Sequence, residues 1–269
     1  MFFKIIKPSR ILENHVKQYW ILEMEACELI GNCHRVIPHG LTEMIFNYRD
    51  LYKCTSGNDF DIQPRISMSG QKSKFSDVLP ADKTGIISVM FYPLGAKQFF
   101  PFPLAEIADK SVGLENIFNR EIAFLTEKLM EKCNLSQRIE LIEEFLIQKL
   151  YRNFTADDHL VKESLFLINK HRGFVCLGEM LKKLKTSERQ LERKFQSQIG
   201  ISPKKFIRII RFQSTIYDFQ FNSNQNFTNL GYNNGYYDQS HFIKEFQLFT
   251  GYSPKEFFKY PNLYSDYFC

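Results

Sequence analysis

One stretch of this chain occurs twice. Ser187-Glu188-Arg189-Gln190-Leu191-Glu192-Arg193-Lys194-Phe195 runs on through Gly200-Ile201-Ser202-Pro203-Lys204-Lys205-Phe206. Fifty-one residues later comes Asp238-Gln239-Ser240-His241-Phe242-Ile243-Lys244-Glu245-Phe246, then Gly251-Tyr252-Ser253-Pro254-Lys255-Glu256-Phe257. The Phe, the Gly, the Ser-Pro-Lys and the final Phe fall at identical offsets. A short helical unit built twice, with polar and basic faces, points to two matched readers of a repeating polymer. DNA is the obvious candidate.

Charge agrees with that placement. Of the net +5, residues 160–269 carry 16 Lys and Arg against 9 Asp and Glu, and residues 1–159 carry 19 against 21. A basic C-terminal region on a near-neutral remainder implies an anionic partner for one end only. The 269 residues, 44% hydrophobic and 24% charged, are ordinary globular material for about two domains. Cys27, Cys33, Cys54, Cys133, Cys176 and Cys269 are scattered, with no C-x-x-C pair. The Met1–Lys7 start meets Pro8 and has no signal-peptide core, and no run reaches the ~18 apolar residues of a membrane span. The expected setting is a soluble, reducing cytoplasm with no membrane partner.

Residues 1 to about 100 read as β-rich. His15–Glu23, Glu43–Tyr48, Arg65–Ser69 and Gly85–Tyr92 are short aromatic or β-branched runs, separated by turn-formers such as Pro38-His39-Gly40, Ser56–Asp59 and Ala81-Asp82-Lys83. A small cupin-like barrel or a sandwich is expected. Asn119–Lys132 and Ser136–Tyr151 read as helices, the second with a stripe of Leu135, Ile139, Ile142, Leu146 and Leu150. That stripe can pack onto the β region or form a dimer seam. Polar residues 153–158 read as a linker. The rest reads as helices: His159–His171, Leu177–Leu184, Ser187–Gln198, Pro203–Phe221, Phe227–Asn233, Asp238–Phe249 and Pro254–Phe258. The fold class is therefore α+β. A β-rich domain with trailing helices spans 1–152, and an all-α domain with two helix-turn-helix units spans 158–260.

In each copy a short helix, a turn and a capped second helix make a helix-turn-helix, whose second helix enters the major groove. Ser187 and Asp238 are the caps. Leu191 with Phe195, and Phe242 with Phe246, are four apart and should face inward. Outward lie Arg189, Glu192, Arg193 and Gln196 with Gln190 beside them, and Ser240, Ile243, Lys244 and Gln247 with Gln239 and His241. Arg suits guanine, Gln adenine, Glu cytosine N4, and Ile243 a thymine methyl. Lys182, Lys183, Lys204, Lys205, Arg208 and Arg211 suit phosphate contact.

These residues resemble the AraC/XylS family of bacterial transcription regulators. Gly235-Tyr236-Tyr237-Asp238-Gln239-Ser240-His241-Phe242 through Glu256-Phe257 is close to the family's signature, and Leu191–Phe195 with Gly200-Ile201-Ser202-Pro203 is similar to its first reader. The resemblance covers about residues 158–260. It implies a seven-helix DNA-binding domain in which a long central helix, Pro203–Phe221, holds two readers over successive major-groove faces. It also implies promoter DNA as partner, with contact to RNA polymerase and a homodimer as further expectations. One departure stands out: Leu230-Gly231 replaces the family's Ile-Ala before the second reader. Glycine there costs about 0.5–1 kcal/mol relative to alanine, so a loose support helix is expected.

Residues Pro38–Tyr48 and Phe91-Tyr92-Pro93-Leu94-Gly95-Ala96 are similar to the β-rich N-terminal domains of some AraC-like regulators, which sense a small molecule, dimerise, or both. Two other readings compete with this one. One is a cupin-like metal-dependent enzyme, for which Cys33, His34, His39 and Glu43 lie close together. The histidines are five apart, which fits no common ligand spacing, so they read as turn or surface residues. No metal, no cofactor and no catalytic residue is expected. The other is a protein-binding accessory that has lost DNA binding, against which Arg189, Arg193 and Lys194 argue.

Overall fold

The structure, a computed structural model, describes residues 1–25, 33–56, 59–132, 134–153, 158–221 and 226–259. Most of the expected linker at 153–158, and Cys27, Cys133 and Cys269, lie outside these residues. The N-terminal part holds two antiparallel sheets. The strands are β1 (Phe2–Ile6), β2 (Val16–Glu25), β3 (His34–Val36), β4 (Thr42–Asn47), β5 (Lys53–Ser56), β6 (Asp59–Ile62), β7 (Ile66–Ser69), β8 (Ser76–Leu79), β9 (Lys83–Phe91) and β10 (Ser111–Gly113). The large sheet runs β1-β2-β9-β4-β7-β10 and the small one β3-β8-β5-β6.

Period-two alternation explains the layers. Along β2, Tyr19 and Ile21 enter one core while Trp20, Leu22 and Met24 enter another. Along β9, Ile87, Val89 and Phe91 join the first core, and Ile86 and Met90 the second. The first face is covered by α1 (Glu115–Glu131) and α2 (Leu135–Asn153), through Ile122, Leu125 and Leu129, and through Ile139, Ile142, Leu146 and Leu150. The α2 stripe is therefore used inside the chain. The second face meets Cys54 and Val78 of the small sheet.

The four strands read from the sequence correspond to β2, β4, β7 and β9. The other six were not read. They are three to five residues long, and β6 is exposed at every position, so it has no apolar alternation to read.

The C-terminal part is helical: α3 (His159–Lys170), α4 (Leu177–Lys183), α5 (Glu188–Gln198), α6 (Pro203–Phe221), α7 (Phe227–Asn233), α8 (Gln239–Thr250) and α9 (Pro254–Lys259). Its core gathers Leu191, Phe195, Phe206, Phe212, Phe242 and Phe246. Ile37 of the N-terminal part is buried in the same core, with Phe75, Leu94 and Ala108 packed against it. Gln213 of α6 also donates to the Pro38 carbonyl at 2.6 Å.

Candidate nucleic-acid interface

Each reader helix starts on a side-chain cap that satisfies a free backbone N–H. Ser187 Oγ accepts from Gln190 N–H at 3.2 Å, and Asp238 Oδ1 from His241 N–H at 2.7 Å. The two anchor pairs, Leu191 with Phe195 and Phe242 with Phe246, are fully buried. Each reader ends at a glycine in the left-handed region, Gly200 at φ +100° and Gly251 at φ +76°. Ser202 then caps α6 by accepting from Lys205 N–H. Ser253 and Glu256 form a reciprocal box on α9: Ser253 N–H donates to the Glu256 carboxylate at 2.8 Å, and Glu256 N–H to Ser253 Oγ at 3.3 Å. The repeated Gly-x-Ser-Pro is thus a stop followed by a start.

With the anchors inward, the opposite faces are open. Arg189, Gln190 and Arg193 are exposed on α5, as are Gln239, Ser240, His241, Lys244 and Gln247 on α8. Glu192, Gln196 and Ile243 are half-buried. Gln196 donates to Glu192 at 3.1 Å, and Gln190 accepts from Thr186 at 3.1 Å. Lys182 and Lys183 at the end of α4, and Lys204 and Lys205 at the start of α6, are exposed.

Arg208 and Arg211 sit differently. Arg208 Nε donates to Glu245 Oε2 at 2.6 Å and Arg211 Nη2 to Glu245 Oε1 at 3.0 Å, and Arg211 lies over the Tyr236 ring. The Glu245 side chain is only 2% exposed. Sequence reasoning missed Glu245, although a signal was present. It shares the apolar face of Phe242, Phe246 and Phe249, where a lone carboxylate demands a cation.

The first unit has a counterpart. Lys194 Nζ is ion-paired to Asp158, which also accepts from Gln198 at 3.0 Å and caps α3 through Leu160 and Val161 N–H. Burial pushes the Asp158 carboxyl up, but Lys194 and Gln198 outweigh that and hold it below the usual carboxylate range.

The support helix of the second unit corrects one expectation. Gly231 is buried, and a Cβ there would lie 3.2 Å from Phe242 Cγ. The missing side chain lets α7 sit close against the anchor of α8, so the glycine is a packing choice rather than a loosening. Asn234 closes the same helix end, donating to Asp218 and to the Leu230 carbonyl, each at 3.1 Å.

His39 corrects another. Its side chain is 6% exposed, not a surface group, and Nε2 meets Glu43 at 2.9 Å. Glu43 also accepts from Ser88 at 2.6 Å and Trp20 at 3.2 Å. Burial pushes this carboxyl up, and His39, Ser88 and Trp20 together hold it below its usual range. Among the described residues no group of three or more His, Cys, Asp or Glu is placed to hold a metal ion. No described helix is long and apolar enough to cross a membrane.

Comparison with known proteins bears on both parts. Residues 180–260 match a helix-turn-helix domain model. Residues 4–113 match a domain of unknown function, DUF6597. No curated protein matches the sequence. Among solved structures, ToxT from Vibrio cholerae is 14% identical, with 92% of this chain and 98% of that chain covered at a TM-score of 0.50. This is a likeness of fold across both parts. The AraC-like transcriptional activator CuxR is 12% identical, covering 79% of this chain and 86% of its own, at a TM-score of 0.26.

Proposed function

We propose that this chain, whose C-terminal part is a helix-turn-helix domain of AraC type, regulates transcription by reading promoter DNA with α5 and α8 under control of its N-terminal domain. The observation that carries the reading is the pair of capped, anchored helices that present open polar faces at equivalent positions. The 19 residues of α6 span about 28 Å at 1.5 Å per residue. That is near the ~34 Å of one DNA turn, which suits two readers entering successive major-groove faces.

In this reading Arg189 and Arg193 fork onto guanine, and Gln239 and Gln247 pair with adenine. Glu192, Gln196, Ser240, His241, Ile243 and Lys244 complete two unlike faces, so the site read is asymmetric. Lys182, Lys183, Lys204 and Lys205 hold phosphates. Arg208 and Arg211 are reassigned: both guanidinium groups serve Glu245, so their part is to fix α8 on α6. A homodimer would need a surface other than the α2 stripe, and exposed Phe124, Met130 and Tyr151 offer one. RNA polymerase contact is the corresponding expectation for an activator.

The N-terminal domain supplies a candidate effector site. A cavity of about 100 Å³ lies between its sheets, lined by Trp20, Leu22, Met24, Ile45, Val78 and Ile86 among others. That is several times the space one water needs. The test of the reading is affinity for DNA fragments selected from a random pool. Log K should fall linearly with log salt. Salt-insensitive affinity, or none, sinks it.

A further inference from the structure

The cavity and the second reader are joined by one ribbon. β3 and β8 pair with His34 opposite Val78, Arg35 opposite Asp77 and Val36 opposite Ser76. His34, Val36, Ser76 and Val78 line the cavity. By strand alternation the middle pair, Arg35 and Asp77, points the other way. There Arg35 grips Asp77 with Nε at 2.6 Å and Nη2 at 2.8 Å. Its Nη1 donates to the Thr250 carbonyl at 3.1 Å, and the guanidinium lies over Phe75 at 4.0 Å and Tyr252 at 4.6 Å. Thr250 is the last residue of α8, so the cation sits at the negative end of the reader's dipole. β3 is an edge strand of three residues, paired in its sheet only to β8. Such an element sits at the low end of local stability.

The first reader is held at the same repeat position by something else. A Cβ at Gly200 would meet the Leu104 carbonyl oxygen at 2.9 Å, whereas one at Gly251 would meet Arg35 and Phe75. Residues 104–107 form a 3₁₀ turn, and none of them lines the cavity. The N-terminal domain thus touches both readers at their terminal glycines, but only one contact shares strands with the cavity.

The lining defines the occupant. Its walls are mostly apolar, and burial pushes the Cys54 thiol up to about 12, so it stays protonated there. Two polar atoms at the cavity-lining residues, His34 Nε2 and Ser111 Oγ, are buried without a hydrogen-bond partner. Burial pushes the His34 pKa down, favouring a neutral ring. Such atoms are costly to leave unmade.

We propose that a small, mainly apolar molecule with one hydrogen-bonding head group occupies this cavity, and that the β3–β8 ribbon passes its presence to the Arg35 clasp, repositioning α8 while α5 stays fixed. The inference rests on the reading of the cavity as the effector site. It requires only that the occupant favour one setting of the clasp over the other.

The experiment is amide hydrogen exchange on the full chain with 1-octanol as probe. Octanol should slow exchange in β2 and β9, which line the cavity. It should change exchange at residues 247–253 by at least about fivefold, leaving the equivalent residues 196–202 unchanged. Arg35→Ala should speed exchange at 247–253 by about tenfold, the loss of a charged hydrogen bond, and abolish the response to octanol. Arg35→Lys, which keeps the charge but loses the bidentate fork, should behave likewise. Protection of β2 and β9 without any change at 247–253 overturns the coupling and leaves the effector site standing. No protection of β2 and β9 overturns the site itself. DNA binding is absent from this experiment, so neither result bears on the DNA-reading assignment.

Discussion

At one position of the repeat the two units carry opposite charges, Lys194 in the first and Glu245 in the second. Each is tied to a different neighbour. Lys194, 27% exposed, reaches outward to the cap of α3, while Glu245, 2% exposed, is sealed between two arginines of α6. The difference teaches how a duplicated unit diverges: the caps, anchors and terminal glycines stay, and the residue that docks the reader on the rest of the fold changes. The first reader is tied to the cap of α3 and backs onto Leu104 of the N-terminal domain, and the second hangs on the central helix and on Arg35 of that domain.

The sharpest way to break this comparison is Glu245→Ala. It leaves Arg211 largely buried and unpaired, and should cost about 3–5 kcal/mol of stability, read by denaturant unfolding. A cost near that of a surface ion pair would show the second unit to be no more deeply anchored than the first. Arg193→Ala comes next. It should weaken binding to a selected site by about 1–3 kcal/mol and relax specificity at one or two base pairs. An equal loss on all sequences would make Arg193 a phosphate contact and leave the first unit without its main base reader.

Lys194→Ala should cost less, about 1 kcal/mol or below, because its ion pair is partly solvated. The same pair carries a pH signature. The folded pKa of Asp158 is depressed, so its stabilising contribution is complete above the unfolded carboxylate value and is lost as pH falls through the folded value. Removing Asp158 with Asp158→Asn should therefore flatten the acid limb of a stability–pH profile, and an unchanged limb would contradict the pairing. Smallest of all is Gly231→Ala. The gain in helix propensity is opposed by the close contact with Phe242, whose ring is packed by Tyr236 and Phe246. A net loss within about 1 kcal/mol is expected, and a clear gain would restore the view that this glycine weakens the second unit.

The repeat was legible because its signals are local. A cap, an anchor pair four residues apart and a stop-start glycine and proline are all written within one turn or two of helix. The strands β2, β4, β7 and β9 were legible for the same reason, since each lies in a short aromatic or β-branched run bounded by turn-formers. What was not legible depends on partners distant in sequence. Arg35 lies in a three-residue strand and acts on Thr250, 215 positions away. His39 reads as a turn or surface residue although Glu43 is only four positions on, because what buries that carboxylate is its bonding to Trp20 and Ser88 on other strands. The fate of Arg208 and Arg211 was hidden likewise, since their partner is on another helix. A basic residue on a basic helix reads as a phosphate contact until the buried carboxylate is seen.

The claim that joins these parts is that α5 and α8 read one duplex side by side. Hydroxyl-radical footprinting of the full chain on a selected fragment tests it most directly. Two protected patches about one helical turn apart, ~10 base pairs centre to centre, are predicted, with Arg193→Ala weakening one patch and Lys244→Ala the other. A single patch that both substitutions weaken alike would contradict the account.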